Sequence, residues 1–365
     1  MKPLLITVSS IFLFFALLAP ANAVDTRGIE AVRVKKVLEP ADLQAIDAFL
    51  AQGLGEILAT HDFSSISNIR SIILANSVSN EPGQVQFADQ FSESAKKHIS
   101  AALQSADALT PPSRSFRVIT NLLMLLDGFA NPRLVDLPLK YIDYNNSVVS
   151  YWAVHCVTNP DVVDKLNSSK EPDTVRQIAR RLDAVVATSS PETLGLIAAF
   201  AGSITVSDGE DLLLKVADRR IASYADWSVQ YELLDATVLQ LLSDKMASSN
   251  PGKGAAGRRF GQLFSYVFQR YIKGADRLNM SQKEQLASVL VETEKSGLTK
   301  LTGKPRSGIR KALESSDSNT LLQEHNNLLG SETKPGELNI DYGKDGSGTA
   351  IMCPLQLASP AGAKS

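Results

Sequence analysis

Apolar residues recur along this chain at helical spacing, and sustained two-residue alternation is absent. The stretch from Asn145 to Leu166 shows the pattern best. Val148, Trp152 and Cys156 fall four residues apart, with Val149, Ala153 and Val157 beside them, which predicts a helix with a buried stripe and Val148, Trp152 and Cys156 in the core. Asn146 or Ser147 supplies a cap for the first-turn N–H groups. Asn159-Pro160 ends the helix, because proline cannot continue it, and Val162, Val163 and Leu166 open a second, shorter one.

The run Val149-Ser150-Tyr151-Trp152-Ala153-Val154-His155-Cys156-Val157 resembles the second helix of a HEAT repeat. Ser150 stands where that family prefers arginine, and Val157 where it prefers leucine. The resemblance implies an all-α fold, an irregular HEAT-like α-solenoid or helical-hairpin array, in which helix, tight turn and helix repeat.

Similar stripes predict helices elsewhere. Leu43, Ile46, Phe49 and Leu50 follow Pro40, with Gly53 and Gly55 as weak points before Ala59, and Ile66, Ile69, Ile73 and Leu74 come next. Val85 to Ala108 reads as another helix, Thr110-Pro111-Pro112 as a break, and Phe116 to Phe129 as a helix buried on most sides. Asn131-Pro132 echoes Asn159-Pro160 as the start of a short helix. Further starts are expected after Glu171-Pro172, at Ser190-Pro191, and at capping boxes Ser207/Glu210 and Ser281/Glu284. Val229, Leu233, Ala236, Val238 and Leu241 are expected to share one helix, and Thr320 to Leu329 reads as the last.

The predicted organisation is a leader at 1–23, an N-terminal helical region at 24–112, a HEAT-like array at 113–297, a polar region with a terminal helix at 298–330, and a disordered tail at 331–365. Lys2, the apolar run Leu4 to Leu18 and Ala21-Asn22-Ala23 match a signal peptide cut before Val24, so the protein is expected to be exported, periplasmic or extracellular. No later stretch is apolar enough to span a membrane. A formal net charge of −2 argues against nucleic acid as a partner. Two cysteines, Cys156 and Cys353, leave open either one bridge or two free thiols. Sequons stand at Asn145, Asn167 and Asn279.

Catalytic and metal motifs are missing from the sequence. His61, His98, His155 and His325 lack metal-ligand spacing, and no cofactor is expected. His155 and Cys156 are neighbours on a helix and point apart, so they do not make a nucleophile–base pair. Gly252-Lys253-Gly254-Ala255-Ala256-Gly257 fits G-x-G-x-x-G but follows a helix, so it reads as a linker. Three arginine pairs stand 39 residues apart, at Arg180-Arg181, Arg219-Arg220 and Arg258-Arg259, close to a HEAT-type period. Arg180, Arg181, Arg219 and Arg220 are therefore the candidate partner-binding residues, with Arg258-Arg259 set apart by its place at a helix start. The leading expectation is an exported helical scaffold that binds a protein or envelope component. The alternatives are a hydrolase whose site follows no motif and a module that binds an anion or other ligand.

Overall fold

The computed structural model describes residues 24–169, 171–248, 254–274 and 276–358. The leader, its cleavage point and the first residues of the glycine motif lie outside them. The fold is all-α, and the chain divides into two compact units, Met1–Leu137 and Pro138–Ser365.

The first unit contains α1 (Arg27–Arg33), α2 (Pro40–Ala59), α3 (Phe63–Ala75), α4 (Val85–Asp107) and α5 (Pro112–Phe129). Proline at the first position of α2 costs no hydrogen bond, and the Asp42 carboxylate accepts the Glu39 backbone N–H at 2.8 Å. The helix runs unbroken through both glycines. A Cβ on Gly53 would lie 2.9 Å from Ile73 Cδ1, so bare backbone there lets α3 approach. Phe91 of α4 stacks against Phe49 and Phe129, with centroids 6.4 and 6.0 Å apart. Because α5 packs on α3 and α4, the boundary between the units falls after Leu137 and not near residue 112. The Asn131-Pro132 echo yields only a 3-10 turn, Pro132–Leu134; Pro138 disfavours helical backbone at Leu137 and stops propagation.

The second unit continues with α6 (Ser147–Val157), α7 (Pro160–Ser169), α8 (Pro172–Val185), α9 (Pro191–Ser203), α10 (Asp208–Ala225), α11 (Leu234–Ser248) and α12 (Ala255–Lys273). It ends with α13 (Met280–Glu292), a π-helical turn, α14 (Thr299–Thr302), α15 (Gly308–Glu314) and α16 (Ser318–Leu329). The two-residue strands β1 (Gly330–Ser331) and β2 (Lys334–Pro335) pair antiparallel.

Three of these helices lie side by side and parallel. Lys215 bonds Asp183 at 2.8 Å and Arg176 reaches Asp208 at 4.0 Å, which aligns α10 with α8. Arg259 bonds Asp218 at 2.8 Å and aligns α12 with α10. Behind this row, α9 and α11 pack together, Gly195 facing Leu234 and Gly202 facing Leu241, so the two helices match at a shift of 39 residues.

Several expectations are corrected. On α6 the buried face is Val149, Ala153, Val154, Cys156 and Val157, while Val148 is 53% exposed and Trp152 is half-buried against His155. Of the expected core trio only Cys156 lies in the interior. Both stripes are apolar, so spacing did not distinguish the inner from the outer. Ser207 makes no side-chain cap, and the box before α13 is Asn279 with Gln282, two residues earlier than Ser281 with Glu284. Val229 and Leu233 precede α11, in the loop that leads to it. The tail is ordered from Ser331 to Ala358, because α12 side chains bind its backbone.

Candidate functional site

The loop from Asp226 to Leu233 joins α10 to α11. Two buried arginines hold it. Arg220 of α10 forms a fork with Asp235 of α11, Nε to Oδ1 at 2.7 Å and Nη2 to Oδ2 at 2.9 Å, with side chains 2% and 0% exposed. Its remaining donors reach the loop carbonyls of Gln230 at 3.0 Å and Tyr231 at 3.3 Å. Arg270 of α12 approaches from the other side. It donates to Glu232 at 3.2 Å and, at longer range, to the carbonyls of Trp227 and Val229. Its guanidinium lies 5.9 Å from the Tyr224 ring and 5.5 Å from the Trp227 ring.

This clamp stabilises a backbone that would not persist alone. Trp227 and Tyr231 have φ of 57° and 55°, left-handed values disfavoured for bulky residues, and such strain survives only where surroundings impose it. With four carbonyls turned toward guanidinium groups, Val229 points into the core while Tyr231 and Leu233 project outward, 51% and 40% exposed. The Trp227 indole N–H donates to the Ala358 carbonyl at 2.9 Å.

At Asp235 the network is closed, whereas the buried Arg270 Nε has no hydrogen-bond partner. Asp235 accepts twice from Arg220 and once from the Tyr224 hydroxyl, at 2.7 Å. Burial pushes the Tyr224 phenol well above its ordinary pKa. Burial also pulls the Arg220 guanidinium down, but Asp235 more than offsets this and leaves it raised. With its oxygens committed to Arg220 and Tyr224, Asp235 is a structural acceptor and no general base. What the arrangement does is hold a loop rigid with an aromatic and an aliphatic side chain facing solvent.

The candidate arginines separate by this geometry. Arg180 is exposed beside an open groove of about 290 Å³ lined with Asp183, Asp208 and Asp211. Arg219 is exposed on α10. Arg181 donates to the Leu139 carbonyl and to Asp143, both at 3.2 Å. Arg220 is buried in the loop clamp, which corrects its reading as a surface residue. Arg258 is exposed, and Arg259 is bound to Asp218. In each pair the first arginine meets solvent and the second ties elements together, so the four candidates do not make one ladder.

Asp235, Tyr224, Glu232 and Arg270 escaped the sequence reading. A signal existed at Arg270, a charged residue on the buried stripe of Phe260, Phe264, Val267 and Phe268. Charge at such a position needs an acid elsewhere, and Glu232 and Asp235 are the acids beside an aromatic loop.

Two further clusters carry chemistry-bearing side chains. In the second unit, Ser265 and His325 Nε2 lie 2.8 Å apart, and His325 Nδ1 lies 2.9 Å from Asn326 Oδ1. The outline resembles a nucleophile, base and orienting group, but Ser265 is fully buried and its oxygen already accepts from Gln269 at 2.7 Å. In the first unit, Asp47 accepts from His98, Ser94 and Lys97 beside a groove of about 590 Å³, and its hydrogen bond with His98 is the largest effect holding its pKa at about 2. No group of three or more potential metal ligands occurs among the described residues. No disulfide joins the two cysteines, of which Cys156 is buried and Cys353 half-buried. No helix among the described residues is long and apolar enough to cross a membrane.

No protein-family model and no curated protein matches the chain. Among solved structures, it is similar to an engineered protein from a structural-genomics consortium, at 14% identity over 83% of this chain and 88% of that one. The TM-score is 0.21, too low to carry any argument about fold or function.

Proposed function

We propose that the protein is an exported helical scaffold, HEAT-like in its second unit, that binds a protein or envelope component through the Asp226–Leu233 loop. The rigid loop is the observation that carries this reading. Binding usually costs the ordering of contact residues, and a loop already fixed by two buried arginines has little ordering left to lose. Tyr231 offers a large amphipathic contact at low entropic cost, and Leu233 adds apolar area, as in binding hot spots. Exposed Arg180 and Arg219 add salt-sensitive attraction for an acidic partner. The parallel helix rows and the 39-residue match of α9 with α11 support a repeat-like scaffold. The leader sequence at 1–23 supports export.

The test compares the mature protein with its Tyr231→Ser/Leu233→Ser variant, each immobilised and exposed to an envelope extract, with retained species quantified by mass spectrometry. A species retained by the wild type should fall at least tenfold with the variant, while circular dichroism stays unchanged. Equal retention of every species by both proteins would refute the loop as the binding site. Arg180→Ala/Arg219→Ala should weaken the same species mainly at low salt.

A further inference from the structure

The segment from Met352 to Ala358 lies along α12 and is held almost wholly by its backbone. The Gln262 carboxamide donates to the Leu355 carbonyl at 3.1 Å and accepts the Leu355 N–H at 2.8 Å, the two-point pairing that a neighbouring strand residue would provide. Seven residues further along the helix, Gln269 accepts the Leu357 N–H at 2.7 Å and donates to Leu355 at 3.3 Å. Lys273 donates to the Leu357 carbonyl at 2.7 Å, and Trp227 caps the row at Ala358. Side chains enter at two positions only: Pro354 is buried and Leu357 is 2% exposed, whereas Leu355 is 66% exposed and Gln356 faces solvent.

A groove that reads main-chain groups and two apolar side chains three residues apart does not depend on what lies between them. Such a groove accepts any extended segment with that pattern, as peptide recognition by backbone pairing does elsewhere. The resident segment joins the fold through an exposed turn, where Asp345 and Thr349 bond and Lys344 bridges Ala350, and few buried contacts tie that turn down. From this geometry we infer that α12 carries a binding site for an extended peptide, with Gln262, Gln269 and Lys273 as its backbone readers. The chain's own Met352–Ala358 is an exchangeable occupant. The partner is an extended segment of another polypeptide with a Pro-x-x-Leu pattern, docked in the same direction. This site meets the loop proposed above only through Trp227, and its peptide-binding readout does not depend on Tyr231 or Leu233.

The probe is a synthetic peptide of residues 351–358 carrying Cys353→Ser, added to the full mature protein. Cys353 is half-buried within the segment, so its rate of reaction with a thiol reagent reports release of the tail. Saturating peptide should raise that rate several-fold. A probe with serine at the exposed Leu355 position should act as well as the parent, and one with aspartate at the Leu357 position should be inert. The tethered tail competes at an effective concentration in the millimolar range, so the tail-weakened variants Leu357→Asp and Leu357→Ala should bind labelled peptide at least tenfold more tightly than the wild type. Gln262→Ala/Gln269→Ala in the Leu357→Ala background should abolish that binding. Three outcomes would overturn the proposal: no Cys353 response together with no peptide binding by either variant; equal binding of all peptides; or loss of the helical circular dichroism signal whenever the tail is weakened, which would make the segment a structural strap.

Discussion

Arg219 and Arg220 are neighbours in the chain with opposite roles. A helix turns about 100° per residue, so one guanidinium meets solvent and the other enters the core. Burial raises the stakes for the second. Removing one partner of a buried ion pair leaves an uncompensated charge and costs about 3–5 kcal/mol, whereas an exposed substitution stays within about 0.5 kcal/mol. Asp235→Ala should therefore lower stability in urea denaturation by about 3–5 kcal/mol, and Arg219→Ala should leave the midpoint nearly unchanged. His325 provides a pH dependence at the same scale. Burial lowers its pKa from 6.5, Lys273 adds to the effect, and the bond to Asn326 opposes it. Ser265, Gln269 and Phe268 of α12 complete its surroundings. The folded imidazole stays neutral where the unfolded one takes up a proton, so stability is full above pH 6.5 and declines as pH falls toward the folded pKa. The melting temperature should drop as pH falls below 6.5, and His325→Gln should flatten that drop. Asp47 acts in another window, since its contribution disappears only between about 3.8 and 2.

At the scale of elements, glycine separates what spacing reveals from what packing decides. Gly55 and Gly209 are both helical, and the sequence does not distinguish them. A Cβ on Gly55 would meet nothing within 4 Å, while one on Gly209 would lie 2.7 Å from the Ala201 carbonyl oxygen. Gly55→Ala should stabilise the protein by about 0.5–1 kcal/mol, because alanine loses less backbone freedom in a helix. Gly209→Ala should cost about 1–3 kcal/mol from overpacking. Thermal denaturation of both variants checks the opposite signs. The same distinction explains which elements were legible. Helices such as α2, α4 and α16 announce themselves through apolar period and starting residues. The inward face of α6 did not, because Val148 and Trp152 are as apolar as Val149 and Ala153. Nor did the ordered tail: its backbone partners, Gln262 and Gln269, lie on a helix some ninety residues earlier.

Across the whole chain, the helical class was legible, and the site was not. Periodicity reports which residues face inward along one helix. A site made by Arg220, Arg270, Glu232 and Asp235 depends on which helices become neighbours, and no local pattern encodes that. The 39-residue spacing of the arginine pairs was a real regularity, since it equals the shift that aligns α9 with α11. Its consequence was different from the one expected, because each second arginine serves an internal contact. Two buried arginines hold the Asp226–Leu233 loop in a single strained conformation. Hydrogen–deuterium exchange of the loop amides reads whether they do. The amides of Asp226, Trp227 and Ser228 bond to the end of α10, and those of Leu234 and Asp235 bond within the loop. In the wild type these amides should exchange as slowly as the flanking turns of α10 and α11, and Asp235→Asn should speed them at least tenfold. If they exchange in the wild type as fast as an ordinary exposed turn, the arginines do not hold the loop, and it is no preformed binding surface.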